Sequence, residues 1–289
     1  MKEAYLYQKK ENGKVRCNLC NHRCHIKEGK TGKCFVRKNI GGVLYSLVYR
    51  KLISENVDPI EKKPLFHFLP GTRSLSIATV GCNFRCFFCQ NWQISQLPSD
   101  HGEIEGKDVP PGKIVEDAVS AGCQSIAYTY TEPTIFFEYA YDTAEIAHKR
   151  GLKNIFVTNG FMTEECLEMI KPYLDAANID LKSFSDRTYR NKMGGRLKPV
   201  LSNIKFMKDL GIWIEVTTLV IPGINDSDKE LKNIADFLAD LDSGIPWHIS
   251  AYYPTYKSDI PPTKKEKIEK AIAIGKEAGL KYVYGGNII

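Results

Sequence analysis

The chain of 289 residues contains no apolar run long enough to cross a bilayer. Residues 1–14 are polar and lack the apolar core of a secretory signal, so we expect a cytoplasmic protein with no membrane partner. There is also no long basic run. The 40 Lys and Arg residues are dispersed among 34 Asp and Glu, which makes nucleic acid an unlikely partner.

A disulfide framework is not indicated either, although the chain has nine cysteines. Seven of them fall into two tight sets, which suits metal binding in a reducing compartment. The first set lies in a loop-rich segment, residues 1–70, which includes a proline-rich connector. The second set opens the remainder, residues 71–289, which we predict to be a separate domain.

The second set is Cys82, Cys86 and Cys89, directly after a short apolar stretch, residues 74–80, that is typical of a buried strand. Thiolates at this spacing can bind three irons of a cubane iron-sulfur cluster. No further cysteine follows until Cys123, in a predicted helix-to-strand turn, so one iron would have no protein ligand. An open iron beside a pocket can bind a substrate or cofactor. The spacing alone is also compatible with a zinc knuckle or a redox-active set.

The first set comprises Cys17, Cys20, Cys24 and Cys34, four soft ligands within a short segment. Four such ligands are enough to complete the coordination sphere of a metal. So short a segment has too small a core to be stable without a bound metal or a similar cross-link. A structural zinc and a second iron-sulfur cluster are both reasonable. Free thiols are the remaining alternative, because the spacing is less regular than in a zinc ribbon.

Short apolar runs alternate with helical patterns from about residue 72 onward. The patterns predict strands over 74–80, 125–129, 154–157, 176–181, 212–219, 247–251 and 281–284, with helices over 114–121, 134–150, 163–173, 200–210, 229–241 and 264–278. Such alternation implies parallel strands joined by crossovers. The predicted fold is therefore α/β, a partial (β/α)6 TIM-like barrel with a small N-terminal Cys-rich segment.

Polar residues follow the predicted strands, where the chemistry of a parallel barrel collects. These candidates are Glu132 after the second strand, Thr158 and Asn159 after the third, Asp180 and Lys182 after the fourth, and His248 in the sixth. Asp180 and Lys182 share one face of their strand, which is costly unless they pair with each other or with a ligand. A lone strand histidine such as His248 is more often packed than catalytic.

The motif of Cys82, Cys86, Phe88 and Cys89 resembles that of the radical S-adenosylmethionine (SAM) enzymes. The resemblance implies that SAM binds the open iron of a 4Fe-4S cluster through its amino and carboxylate groups. Reduction of the cluster, by a flavodoxin- or ferredoxin-type reductant, then splits the sulfonium and releases a 5'-deoxyadenosyl radical. The cofactors carry this chemistry, so no side chain is assigned as a catalytic residue.

Later motifs are similar to those of the glycyl-radical-enzyme activases of the pyruvate formate-lyase activating type. The resemblance implies that Glu132 receives the SAM ammonium, that Asp180, Lys182, Thr158 and Asn159 surround the polar groups of SAM and a nearby monovalent cation, and that His248 lies near adenosine or substrate. Val157 stands where those enzymes commonly have an Asp that serves the cation site. Tyr130 and Thr131 replace two glycines before Glu132, and a backbone carbonyl there needs no glycine to act as an acceptor if the φ angle is ordinary.

The N-terminal four-cysteine segment, together with residues 58–71, looks still more similar to a subgroup, the radical SAM member of the AMMECR1/Memo system. Together these resemblances imply an oxidoreductase that abstracts hydrogen from a glycine of a partner protein. The alternative within enzymes is abstraction from a small molecule or another protein residue. A non-enzyme alternative is an iron-sulfur electron carrier or metal-binding scaffold, whose fully ligated cluster would not respond to SAM.

Overall fold

A computed structural model describes residues 1–288. In chain order its strands are β1 Lys2–Glu3, β2 Tyr7–Lys9, β3 Val15–Cys17, β4 His25–Ile26, β5 Arg37–Ile40, β6 Val43–Ser46, β7 Lys51–Leu52, β8 Ser54–Pro59, β9 Arg73–Ala78, β10 Lys107–Asp108, β11 Ser125–Tyr128, β12 Lys153–Thr158, β13 Ala176–Asp180, β14 Trp213–Val220, β15 Trp247–Ala251 and β16 Val283–Gly286. The helices are α1 Trp92–Ser95, α2 Leu97–Asp100, α3 Pro111–Ser120, α4 Phe137–Lys149, α5 Glu164–Ile170, α6 Asp186–Thr188, α7 Leu197–Asp209, α8 Asp228–Asp242 and α9 Lys265–Glu277. Short 3-10 segments, Ile60–Lys62 and Pro133–Phe136, and a π-helical turn, Tyr189–Met193, complete the regular structure.

The main sheet has eight strands in the order β16-β15-β14-β13-β12-β11-β9-β8. From β9 to β16 every neighbouring pair is parallel. Helices alternate with these strands along the chain, because apolar residues at helical spacing need a sheet face to cover them. The predicted α/β class and partial TIM-like barrel are confirmed.

The proline-rich connector is more than a linker. Its residues Ser54–Pro59 form β8, which pairs antiparallel with β9 along its whole length. Farther along the connector, Ile60 and Leu65 are fully buried and pack against inward-facing residues of β11, β12 and β13. The sequence prediction missed this strand, because its exposed, mixed side chains give no apolar alternation and only the long-range pairing reveals it.

The N-terminal segment forms small antiparallel sheets, β1-β6-β5 and β2-β3-β4, while β7 pairs with β10. Its apolar side chains join the same core as those of the barrel helices. Arg37 in β5 also makes two hydrogen bonds of 2.7 and 2.8 Å to the carboxylate of Glu138 in α4, and both side chains are buried. The segment is therefore packed onto the barrel.

Among residues 1–288, no helix has the length and apolar character that a membrane span requires.

Candidate cofactor site

A cavity of about 310 Å3 opens at the carboxyl ends of the parallel strands. Its lining comes from the segments that follow β9 and β11 and from the C-terminal parts of β12, β13, β14 and β15. The volume is that of a small-molecule site. All three predicted thiols, Cys82, Cys86 and Cys89, line this cavity, as the strand-end prediction requires.

The loop that carries the thiols leaves β9 through Gly81. Gly81 has φ +105°, and a Cβ atom there would lie 2.7 Å from Val36 Cγ1, so only glycine allows the turn. The backbone N–H of Phe84 donates to Cys82 Sγ at 3.3 Å, and Cys89 Sγ forms a hydrogen bond of 3.1 Å with Ser95 Oγ. Such contacts orient metal-binding sulfurs.

The chemistry of these thiols fits an iron-sulfur cluster. None of the nine cysteines, all of them within the described part of the chain, forms a disulfide. Burial raises the pKa of the Cys82 thiol well above its usual value, and burial raises the pKa of Cys86 to about 12 although the Lys182 charge opposes it. Bound iron would supply the positive charge that ionises such buried thiols.

Glu132 lines the cavity but is held by the protein itself. Its carboxylate accepts hydrogen bonds from the backbone N–H of Asn159 at 2.8 Å, from Thr158 Oγ1 at 2.8 Å, and from both the N–H and Oγ1 of Thr134. Burial raises the pKa of Glu132 even though these donors favour the ionised form. Glu132 thus ties the end of β12 to the loop after β11.

The predicted pair Thr158 and Asn159 divides into two roles. Thr158 is buried behind Glu132 and is not part of the cavity lining. Asn159 lines the cavity, and its Nδ2 donates to Asn83 Oδ1 at 2.7 Å. Val157 also lines the cavity and offers no oxygen, so the expected monovalent cation site lacks that carboxylate ligand.

Asp180 and Lys182 lie together on the cavity wall, as predicted. Lys182 Nζ is 2.8 Å from Asp180 Oδ2, and the two side chains are 16% and 31% exposed. Burial alone would lower the pKa of Lys182, but the charges of Asp180 and Cys86 outweigh it and raise that pKa. These two charges therefore favour the protonated ammonium of Lys182.

The condition of an ordinary φ angle before Glu132 is not met at Tyr130. Tyr130 has φ +61°, the left-handed conformation that glycine adopts most easily. Its hydroxyl donates to Asp58 Oδ2 at 2.7 Å, and Lys63 Nζ lies 4.7 Å from its ring centroid. Burial opposes ionisation of Asp58, but hydrogen bonds from Lys63 and Tyr130 hold its pKa well below the usual value. These contacts stabilise the strained backbone.

The sequence analysis did not predict that the proline-rich connector contributes to the cavity wall. Lys62, Lys63 and Pro64 line the cavity, and Lys63 is buried with its Nζ 2.7 Å from Asp58 Oδ2. The two adjacent lysines before a proline were the available signal for this contribution, since a lysine side chain is rarely buried unless it is paired. They escaped notice because the pairing of β8 was not predicted.

The structure does not place His248 beside the cavity, in contrast to the role expected for it. His248 is the second residue of β15 and lies toward the opposite end of the barrel from the thiols. Its Nε2 is 2.6 Å from Glu215 Oε2, and its ring stacks on Tyr284. The strand begins at Trp247, so the histidine belongs to the end of the barrel associated with stability.

The four N-terminal cysteines, Cys17, Cys20, Cys24 and Cys34, line a second, much smaller cavity. Thr134 and Ile135, which directly follow the Glu132 loop of the barrel, form part of its wall. The segment from Glu132 to Ile135 therefore contributes to the walls of both cavities.

Comparisons with known proteins agree with this geometry. The Radical SAM superfamily model matches residues 76–238. An uncharacterized protein of Methanocaldococcus jannaschii is 48% identical over 100% of this chain and 86% of its own. Pyruvate formate-lyase 1-activating enzyme of Escherichia coli is 23% identical over 74% of this chain and 93% of its own. A radical SAM methyltransferase structure from Sphaerobacter thermophilus has the same fold, with TM-score 0.59 at 16% identity over 75% of this chain and 67% of its own.

Proposed function

Because the chain belongs to the radical SAM superfamily, we propose that it uses SAM and a 4Fe-4S cluster on Cys82, Cys86 and Cys89 to abstract a hydrogen atom from a glycine of a partner protein. Family membership implies both cofactors. When bound and given one electron, the cluster would supply the reductive cleavage of SAM to methionine and a 5'-deoxyadenosyl radical, and hydrogen abstraction would convert that radical to 5'-deoxyadenosine. A flavodoxin- or ferredoxin-type protein would supply the electron.

The observation that carries this proposal is the shared cavity. Three thiols and the Asp180–Lys182 pair line one space, which suits a ligand that has both a carboxylate and an ammonium group. Lys182 would hold the SAM carboxylate and Asp180 would offset its charge. Glu132 Oε2 accepts one hydrogen bond, from Asn159, and retains acceptor capacity for the ammonium.

The choice of a glycine as the target is supported by the name of one relative, a putative glycyl-radical enzyme activating enzyme of Methanocaldococcus jannaschii, which is 27% identical over 72% of this chain and 78% of its own. The Escherichia coli protein is a pyruvate formate-lyase activating enzyme, and this chain spans 93% of its length. The barrel cavity of this chain has the volume of a small-molecule site, and it opens at the strand ends where a protein loop could enter.

Isotope transfer tests this function. The reconstituted protein, SAM and dithionite would be incubated anaerobically with extract of source cells grown on glycine deuterated at Cα, and the 5'-deoxyadenosine analysed by mass spectrometry. We expect deuterium in the product, and none with unlabelled extract. Abundant 5'-deoxyadenosine without deuterium would instead identify a small molecule or another residue as the hydrogen donor.

A further inference from the structure

The small cavity of the N-terminal segment is built by backbone pairing that brings its four cysteines together. Cys17 ends β3, and its N–H donates to the carbonyl of Cys24 at 2.9 Å. Cys20 is held against the barrel by an antiparallel bridge to Met162, and Cys34 lies in the turn that leads into β5. All four line the cavity, although they come from different turns.

The size of this cavity bears on which metal would fit. Its volume of about 10 Å3 accommodates the centre of a water-sized sphere. Four thiolates around zinc lie about 2.3 Å from the ion, which leaves no room for such a sphere between them. The cavity that the four cysteines line therefore holds more space than a closed tetrahedral zinc site would leave.

The barrel thiols provide an internal reference for this spacing. Within residues 1–288, no three Cys, His, Asp or Glu side chains lie close enough together to hold a single metal ion. The barrel set, which the family implies holds a cubane cluster, and the N-terminal set are alike in this respect. Neither set is therefore arranged around a single ion.

A buried donor beside the cavity has no acceptor. Arg37 lines the cavity and is 2% exposed, and while its Nη atoms pair with Glu138, its Nε finds no partner among the described residues. An unsatisfied buried N–H is costly. The sulfurs of a cluster and its thiolates accept hydrogen bonds, and they carry the negative charge that a guanidinium stabilises.

We propose that this cavity binds a second 4Fe-4S cluster, ligated by the thiolates of Cys17, Cys20, Cys24 and Cys34. Every iron would then have a protein ligand, so this cluster would be closed to SAM. Leu19, Ile26 and Ile135 supply the apolar part of the wall. The proposal is independent of which substrate the barrel site serves.

Metal counting on the full-length protein tests the proposal. Wild type and the variant Cys82→Ala/Cys86→Ala/Cys89→Ala would be reconstituted anaerobically with iron and sulfide in the presence of equimolar zinc. We expect about 8 iron atoms per wild-type chain and about 4 per variant chain, with no stoichiometric zinc. Addition of SAM should leave the electron paramagnetic resonance spectrum of the reduced variant unchanged.

Two further variants sharpen the result. Cys20→Ser should lose about half of the wild-type iron, while Cys123→Ser, a buried cysteine outside both cavities, should lose none. If Cys20→Ser does not fold, the iron content of the variant without the three barrel cysteines still tests the proposal. One zinc per wild-type chain, or loss of all iron from the barrel-cysteine variant, would overturn the second cluster. Neither outcome depends on hydrogen abstraction, so neither bears on the proposed function.

Discussion

The two thiol-lined cavities differ in what surrounds the sulfurs. The barrel cavity has three cysteines, about 310 Å3 of space, and charged walls that include Glu132, Asp180 and Lys182. The N-terminal cavity has four cysteines and about 10 Å3, and its remaining wall combines apolar residues with basic ones such as Lys33 and Arg37. One arrangement leaves room for a ligand beside the metal and the other does not. That contrast between open and closed sites is the usual division between reactive and structural or electron-carrying metals.

The largest expected effect comes from removing a barrel thiol. Cys82→Ala should abolish reductive SAM cleavage, because a cubane held by only two thiolates loses iron. The yield of 5'-deoxyadenosine under dithionite, measured by chromatography, should fall at least about 100-fold, which corresponds to about 2.7 kcal/mol or more. Cys123→Ala is the matched control and should retain full yield. Equal yields in the two variants would refute the assignment of the barrel cavity as the reactive site.

The second effect concerns how the N-terminal cavity is fixed to the barrel. Arg37→Met strands the Glu138 carboxylate in the core and should cost about 3 to 5 kcal/mol. Arg23→Met breaks a more exposed ion pair between segment and barrel, with Glu165, whose side chain is 46% exposed, and should cost at most about 1 kcal/mol. Denaturant unfolding of the metal-loaded protein measures both. Similar losses would mean that burial of the Arg37 pair does not govern its stability.

The third effect separates a ligand-binding pair from a structural one. Lys182→Met should raise the Kd of SAM for the cluster-loaded protein about tenfold, or about 1.4 kcal/mol, because it removes the expected carboxylate partner. Stability should change little, since water can reach the remaining Asp180. Lys208→Met, which breaks an exposed pair with Asp242 away from the cavity, is the control. A large fall in Tm with unchanged SAM affinity would assign Lys182 to the scaffold.

Short-range patterns predicted the barrel thiols and the alternating strands and helices well. The spacing of Cys82, Cys86 and Cys89 is local, and so is the apolar run of the strand before them. Asp180 and Lys182 were found because alternation along one strand fixes the face of each side chain. In these cases the spacing or the alternation of a few consecutive residues is enough for the prediction. Tertiary packing then places those residues at the cavity.

Long-range pairing and strand limits were not predictable in the same way. Lys63 lines the cavity, where it pairs with Asp58 of β8, and no local pattern in the exposed β8 predicts that this strand pairs with β9. His248 was misplaced because the first residue of its strand decides whether it lies near the top or the bottom of the barrel. The left-handed φ of Tyr130 depends on contacts with that same unpredicted strand.

The smallest effect compares two strained aromatic residues, one beside each cavity. Phe35 has φ +63° and Tyr130 has φ +61°, so glycine at either position relieves about 1 kcal/mol of strain. Phe35 is 41% exposed, and the contact of its ring with Arg85 is worth about 0.5 to 1 kcal/mol. Phe35→Gly should therefore change the free energy of unfolding by less than about 0.5 kcal/mol.

Tyr130→Gly relieves the same strain but also removes the hydrogen bond to the ionised Asp58, worth about 1.5 to 3 kcal/mol, and the contact with Lys63. The net loss should be about 1 kcal/mol in denaturant unfolding of the metal-loaded protein. Tyr130→Phe keeps the strain while losing the hydrogen bond, so it should be at least as destabilising as Tyr130→Gly. If Phe35→Gly lowered the free energy of unfolding as much as Tyr130→Gly, the polar contacts of Tyr130 would not be what stabilises its left-handed backbone.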